Sequence, residues 1–283
     1  MEVSSVNHKV ESILDVMEAM NERLLAAQFG GLQPIPTGFD PLDRFLGGGI
    51  KLGEFIVISG AQGVGKTTMA FQMARHIAAA GLGQCLYLCF EHDSQYLLTR
   101  LISMESLNGH YGEPERGLRQ SELRKEILAE RRAGGTGLYD ILRNNTRTSA
   151  VVDRIRKYGD RLHLLKGSGL HSDLAAISSL VREHKVAGAA PLILFIDYLQ
   201  KIPVYPEPAE ESEKITRTAE GLKELALAED IAVVAISAAD KEGLQAKRLR
   251  FYHLRGSSAL AYEADVILVL NDKYHIVAKS NIA

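Results

Sequence analysis

Three glycines, a lysine and a threonine at fixed spacing give this sequence its first chemistry. Gly60, Ala61, Gln62, Gly63, Val64, Gly65, Lys66 and Thr67 satisfy the pattern G-x-x-x-x-G-K-T, between an apolar run and a helical one that opens with Thr68. The glycines let the backbone curl so that successive N–H groups face phosphate oxygens, in conformations that a side chain would obstruct. Lys66 offers a point charge to the β and γ phosphates and Thr67 a hydroxyl to Mg²⁺. The start of the helix adds its positive partial charge. The ligand this chemistry calls for is ATP with magnesium.

Hydrolysis also needs acids. A magnesium ion held through phosphate oxygens and water takes a carboxylate from a strand end, and the wholly apolar run Leu192 to Ile196 ends in Asp197. The plainer reading of that aspartate is a turn or helix cap; the phosphate cradle upstream favours the metal. A base must then position water near the γ phosphate. Glu91 follows the apolar run 84–90, which is expected to lie beside the P-loop strand and so bring a carboxylate to the C-terminal edge of the sheet, where ligands collect in open α/β folds. His92 and Asp93 stand next to it as rivals, and position favours Glu91 without removing them.

Holding these groups together requires a buried sheet. Apolar runs at 54–59, 84–90, 161–165, 192–197, 231–237 and 265–270 alternate with helical stretches at 65–80, 94–105, 173–185 and 211–229. That alternation is the signature of βαβ units and a mostly parallel sheet covered on both faces by helices. Ser94 and Asp173 suit helix N-caps, and Gly81 suits a helix end. Residues 106–160 are polar, rich in Arg and Glu and broken by Gly134, Gly135 and Gly137; they read as a helical insertion. Residues 203–213, with three prolines and four glutamates, read as an exposed mobile loop. Ahead of the body, residues 8–29 carry Val10, Ile13, Leu14, Met17, Leu24 and Leu25 near helical spacing. Pro34, Pro36 and Gly38 then mark a linker. The division expected is an N-terminal amphipathic helix in 1–33 and an ATPase domain in 34–283. The helix's apolar stripe fits packing on its own domain and docking on a neighbouring subunit equally well.

Composition narrows the class further. Hydrophobic residues at 46% and charged residues at 24% are ordinary for a globular chain. No apolar stretch approaches the ~18 residues of a membrane span, and 1–10 lack the apolar core of a secretory signal. The expected compartment is the cytoplasm, with no membrane partner. Cys85 and Cys89 sit in an apolar run as small hydrophobes, and nine histidines are scattered without ligand spacing. A net charge of −2 puts any nucleic-acid affinity on a local patch. Lys241, Lys247, Arg248, Arg250 and Arg255 form one, with Glu242 the acid among them. Such a patch could track a phosphate backbone, or be a solvated surface loop.

Together these residues resemble the C-terminal domain of the DnaB-type bacterial replicative helicases. The resemblance rests on Pro36 to Asp43, on Gly47, Gly48 and Gly49, on the P-loop, on Phe90 and Glu91 followed by Ser94, Gln95 and Leu98 to Leu101, and most sharply on Ile196-Asp197-Tyr198-Leu199-Gln200. Glu213 to Leu225 resembles the helix after the second acid, and Leu254 to Ser258 the loop that touches single-stranded DNA. Similarity runs from about residue 8 to 272 and is weakest across 106–160. It implies a RecA-like P-loop fold, ATP at subunit interfaces of a six-membered ring, and single-stranded DNA through the centre. It implies Glu91 as the catalytic glutamate, 8–29 as a linker helix docked on an adjacent subunit, and Arg255, Gly256 and Ser258 as DNA contacts beside Lys247, Arg248 and Arg250.

Three departures from that pattern bear on mechanism. Ala238 and Ala239 follow Ser237 where the family carries a glutamine thought to sense the γ phosphate, and alanine cannot report by hydrogen bonding. Lys279 does not sit in the family's Lys-x-Arg finger, whose loss typically costs about 10³-fold or more in rate, so the expectation is either a fragment truncated at its C-terminus or a chain that hydrolyses poorly alone. The family's N-terminal helical domain is also unmatched. The expected function is that of an ATP-dependent DNA helicase motor. Competing expectations are a RecA-like regulatory or recombination ATPase of the KaiC or RadA kind that does not unwind, and a nucleotide-binding module with little turnover.

Overall fold

Six runs of aliphatic and β-branched residues pair into one sheet: β1 Phe55–Gly60, β2 Gln84–Cys89, β3 Leu162–Lys166, β4 Leu192–Asp197, β5 Ala232–Ala238 and β6 Val266–Leu270. All pairs are parallel, in the order β3-β2-β4-β5-β1-β6. The computed structural model describes residues 11–26, 33–108, 117–132, 137–185, 190–246 and 248–272. Helices in chain order are α1 Ile13–Leu25, α2 Asp40–Phe45, α3 Lys66–Ala79, α4 Ser94–Ser106, α5 Gln120–Arg132, α6 Leu138–Asn144, α7 Val151–Arg156, α8 Leu174–His184, α9 Glu211–Ala228, α10 Lys241–Gln245 and α11 Ser257–Glu263.

Because successive strand side chains point to opposite faces, each apolar run feeds two cores at once. Ile56 and Ile58 of β1, Cys85, Tyr87 and Cys89 of β2, and Ile193 and Phe195 of β4 pack with Phe71, Met73 and Ile77 of α3. Phe55, Val57, Leu86, Leu88, Leu194 and Val233 take the other face, against Ile177 and Val181 of α8 and Leu222 and Leu225 of α9. Both cysteines are buried and unpaired with each other. Among the described residues, no helix is long and apolar enough to cross a membrane.

Two local expectations fail for identifiable reasons. The N-cap of α4 is Asp93, not Ser94: the Asp93 carboxylate accepts the Tyr96 N–H at 2.7 Å, while the Ser94 hydroxyl donates to the Leu164 carbonyl. Asp173 does cap α8, and Gly81 follows α3 at φ +70°. The loop expected over 203–213 overlaps the helix expected over 211–229, and the overlap goes to the helix, which starts at Glu211, where Glu211 and Glu213 in the first turn suit the positive end of α9.

Helices α5, α6 and α7 share a small core of their own around Leu123, Leu142, Val151 and Val152, with Ile102 of α4. A buried carboxylate ties this body to the P-loop helix. The Glu105 side chain is 0% exposed. It accepts from Arg75 of α3 at 2.6 Å, from the Tyr158 hydroxyl at 2.6 Å and from Arg154 of α7 at 3.2 Å. Burial alone would raise the Glu105 carboxyl, but the Arg75 and Tyr158 hydrogen bonds outweigh it and hold it below its ordinary value. Helix α1, by contrast, has no buried residue, and Ile13 and Leu25 are 81% and 80% exposed.

Candidate functional site

The parallel register delivers the chemistry to one edge. Cys89 at the end of β2 lies opposite Asp197 at the end of β4, and Gly60 at the end of β1 lies opposite Ala238 of β5. The residues that follow these ends surround a cavity of about 470 Å³ lined by Gly60, Gln62, Gly63, Gly65, Lys66, Thr67, Thr68, Glu91, Arg100, Asp197 and Ala238, among others. Ala61 and Val64 complete the turn between these lining residues. Glu91 reaches the cavity by a different route from the expected one. Strand β2 does not lie beside β1, whose two edges are taken by β5 and β6; it lies beside β4, so Glu91 arrives next to Asp197 and faces the P-loop across the sheet edge.

The turn itself shows why glycine is needed. Gly63 and Gly65 have φ of +81° and +98°, and no atom stands within 4 Å of where either Cβ would be, so the backbone conformation and not crowding excludes side chains there. At Gly60 a Cβ would come within 2.7 Å of the Leu270 carbonyl oxygen and 2.8 Å of Val64. Lys66 folds back over the turn, its Nζ donating to the Gly60 carbonyl at 2.9 Å and the Ala61 carbonyl at 2.8 Å. Burial lowers the Lys66 pKa, and the charges of Asp197 and Glu91 oppose that shift.

Asp197 is 2% exposed. Burial raises its carboxyl above the usual carboxylate range, against hydrogen bonds from the Thr67 side chain and the Tyr87 hydroxyl, the latter at 3.3 Å. A Thr hydroxyl and one carboxylate at the foot of a phosphate cradle match the donor set of a magnesium ion that keeps waters and phosphate oxygens as its other ligands. Of the rivals to Glu91, Asp93 is committed to capping α4, and His92 stacks on Tyr96 at 3.9 Å between ring centroids. Glu91 is exposed and lines the cavity.

Sequence reasoning gave no role to two residues found here. Arg100 lines the cavity, with its guanidinium over the Tyr96 ring and a buried Nη1 that lacks a hydrogen-bond partner. A buried guanidinium donor left unpaired costs free energy, and its position suits a phosphate oxygen or a carboxylate. Arg100 stands nine residues after Glu91 in the Leu98–Leu101 string, so a signal was present. Tyr87 sits in mid-strand among apolar residues, and nothing local announces that its hydroxyl meets Asp197.

The basic patch is more divided. Arg255 is ion-paired with Glu211 at 2.5 Å. Gly256 caps α11 at φ +80°, where a Cβ would strike Ile215. Ser258, Arg248 and Arg250 are exposed; Lys247 and Lys279 lie outside the described residues. At the departure from the family pattern, Ala238 lines the cavity and the nearby carboxamide is that of Gln200, which donates to the Ser237 hydroxyl at 2.9 Å.

Comparison with known proteins agrees with this architecture. Residues 34–282 match the family described as DnaB-like helicase C terminal domain. The chain is 29% identical over 240 residues to the replicative DNA helicase DnaB of Treponema pallidum, covering 84% of this chain and 48% of that protein. Against the replicative DNA helicase DnaB of Geobacillus stearothermophilus it is 25% identical, covering 97% and 56%. The DNA repair protein RadA of Mycobacterium tuberculosis is 40% identical over a shorter stretch, 24% of this chain. The chain thus spans about half the length of the curated replicative helicases it matches. A solved structure of a DnaB-like replicative helicase, titled with its interactions with primase, has a TM-score of 0.69 at 22% identity, covering 94% of this chain and 58% of that one. A separately solved ATPase domain superposes with a TM-score of 0.73, also at 22% identity, covering 94% of this chain and 86% of that one.

Proposed function

The chain belongs to the DnaB-like helicase C terminal domain family, and from that premise we propose that it is an ATP-driven motor that moves along single-stranded DNA as a homo-oligomeric ring of six and separates duplex during replication. A cytoplasmic location is part of the proposal. The observation that carries it is the convergence of the P-loop turn, Lys66, Thr67, Asp197 and Glu91 on one cavity.

In this reading the N–H groups of Gly63 to Thr68 take the phosphates, with Gln62 on the near wall and Ala61 completing the turn. Lys66 exchanges two backbone carbonyls for β and γ phosphate oxygens. Thr67 and Asp197 would hold magnesium, which when bound would supply positive charge to the phosphate side. Glu91 orients and activates the attacking water, and Arg100 supplies a second cation to the phosphate side. The similarity to helicases over nearly the whole chain supports a motor over a RadA-like recombination ATPase, whose likeness covers a quarter of it. Ala238 is the one feature that favours a module with little turnover, because it offers the cavity no side-chain hydrogen bond.

The test is ATP turnover with and without oligothymidylate, alongside release of a labelled strand from a forked duplex. Turnover that rises with the single strand, strand release, and loss of both in Lys66→Ala are expected. Stimulated turnover without strand release would favour the recombination reading, and ATP binding without turnover the module.

A further inference from the structure

Residues 248–255, between β5 and α11, form a ledge hydrogen-bonded at both ends that presents arginine and aromatic side chains to solvent. Leu249 and Leu254 are buried at its two ends. The Leu249 N–H donates to the Asn271 side chain at 2.7 Å, and Asn271 returns a bond to the Leu249 carbonyl at 3.0 Å. The other end is fixed by the Asp240 N–H to the His253 carbonyl at 2.9 Å and the Arg255 N–H to the Ala238 carbonyl at 3.0 Å. What these anchors hold out to solvent is Arg250, Phe251 and Tyr252, with Arg248 just before. Phe251 and Tyr252 are 53% and 52% exposed, their ring centroids 5.4 Å apart, and Tyr252 in turn lies 4.4 Å from the His253 ring. Among the described residues neither Arg248 nor Arg250 is in an ion pair, whereas Arg255 nearby is.

Two exposed aromatic rings cost free energy in water, and a fixed aromatic pair flanked by uncompensated arginines matches the combination that binds unpaired nucleotides, with bases stacked on rings and phosphates on guanidinium groups. We infer that Phe251 and Tyr252 form a base-stacking platform for single-stranded DNA, with Arg248 and Arg250 taking the adjoining phosphates. The inference rests on the motor reading and adds to it a contact with the bases. The ledge is hydrogen-bonded through the Arg255 N–H to Ala238, which lines the nucleotide cavity.

The experiment compares binding, with ATP analogue and magnesium present, of labelled oligothymidylate and of a strand of equal length made of abasic sites, across a range of salt concentrations. The intact chain is expected to prefer the base-bearing strand. Phe251→Ala with Tyr252→Ala should weaken binding to that strand by about fivefold or more per ring. The double variant should erase the preference and keep the salt dependence. Arg248→Gln with Arg250→Gln should do the opposite, keeping the preference and flattening the salt dependence by about one unit of log–log slope per lost phosphate contact. Equal affinity of the intact chain for both strands, or an unchanged preference in the aromatic variant, overturns the platform and leaves the motor reading standing. Failure of the intact chain to bind either strand overturns both.

Discussion

Lys66, Asp197 and Glu91 share a cavity but are prepared for different work by their surroundings. Lys66 is half-buried against two carbonyls, Asp197 is enclosed and bonded by Thr67 and Tyr87, and Glu91 is open to water. An acid that activates water needs access to it; an acid that holds a metal needs a fixed geometry. Glu91→Gln is therefore expected to bind nucleotide as the intact chain does and to lower kcat by about 10²–10⁴-fold, measured by single-turnover ATP hydrolysis beside a nucleotide titration. Arg100→Ala should instead weaken triphosphate binding much more than diphosphate binding, because Arg100 lines the cavity as the second cation proposed for its phosphate side. Equal loss for both nucleotides would remove Arg100 from the γ-phosphate end. The glycines, Lys66, Asp197 and Glu91 were legible in the sequence because backbone curling and strand-end placement impose local spacing. Arg100 stood in the recognised Leu98–Leu101 string without a role that spacing could assign, and Tyr87 meets Asp197 through space from mid-strand, where spacing carries no mark.

At the scale of elements, strand and helix identities were readable from alternation and run length, but strand order was not. Each run is apolar on both faces, so nothing in β2 distinguishes β4 from β1 as its neighbour; the pairing is decided by crossover packing in three dimensions. The same holds for the tie between α3, α4 and α7, which meets at one carboxylate far apart in sequence from all three of its partners, Arg75, Arg154 and Tyr158. Removing that charge strands Arg75 and Arg154, so Glu105→Gln should cost about 3 kcal/mol in urea unfolding. The sign with pH follows from the lowered Glu105 carboxyl: its contribution is complete above its ordinary value of 4.5 and is lost as pH falls through the lower folded value. The gap between the two proteins should therefore close in acid. A gap that stayed constant would show that Glu105 acts by shape and not by charge.

For the whole molecule, the open question that composition posed was what an ordinary, slightly acidic globular chain does with one amphipathic helix and one basic ledge. Helix α1 has no buried residue among the described ones, and Phe251 and Tyr252 are exposed beside Arg248 and Arg250, neither of which is in an ion pair among the described residues. Neither surface could be assigned from sequence alone, since an apolar stripe and a basic run each fit two uses. Both depend on a nucleotide site that works. The direct measurement is a structure of the assembled protein with a non-hydrolysable ATP analogue, magnesium and oligothymidylate. The account predicts Lys66 Nζ moved from the Gly60 and Ala61 carbonyls onto phosphate oxygens, Thr67 and Asp197 at the metal, and Glu91 facing the terminal phosphorus through water. A bound analogue with Asp197 turned from the metal and Glu91 remote from that phosphorus would contradict it.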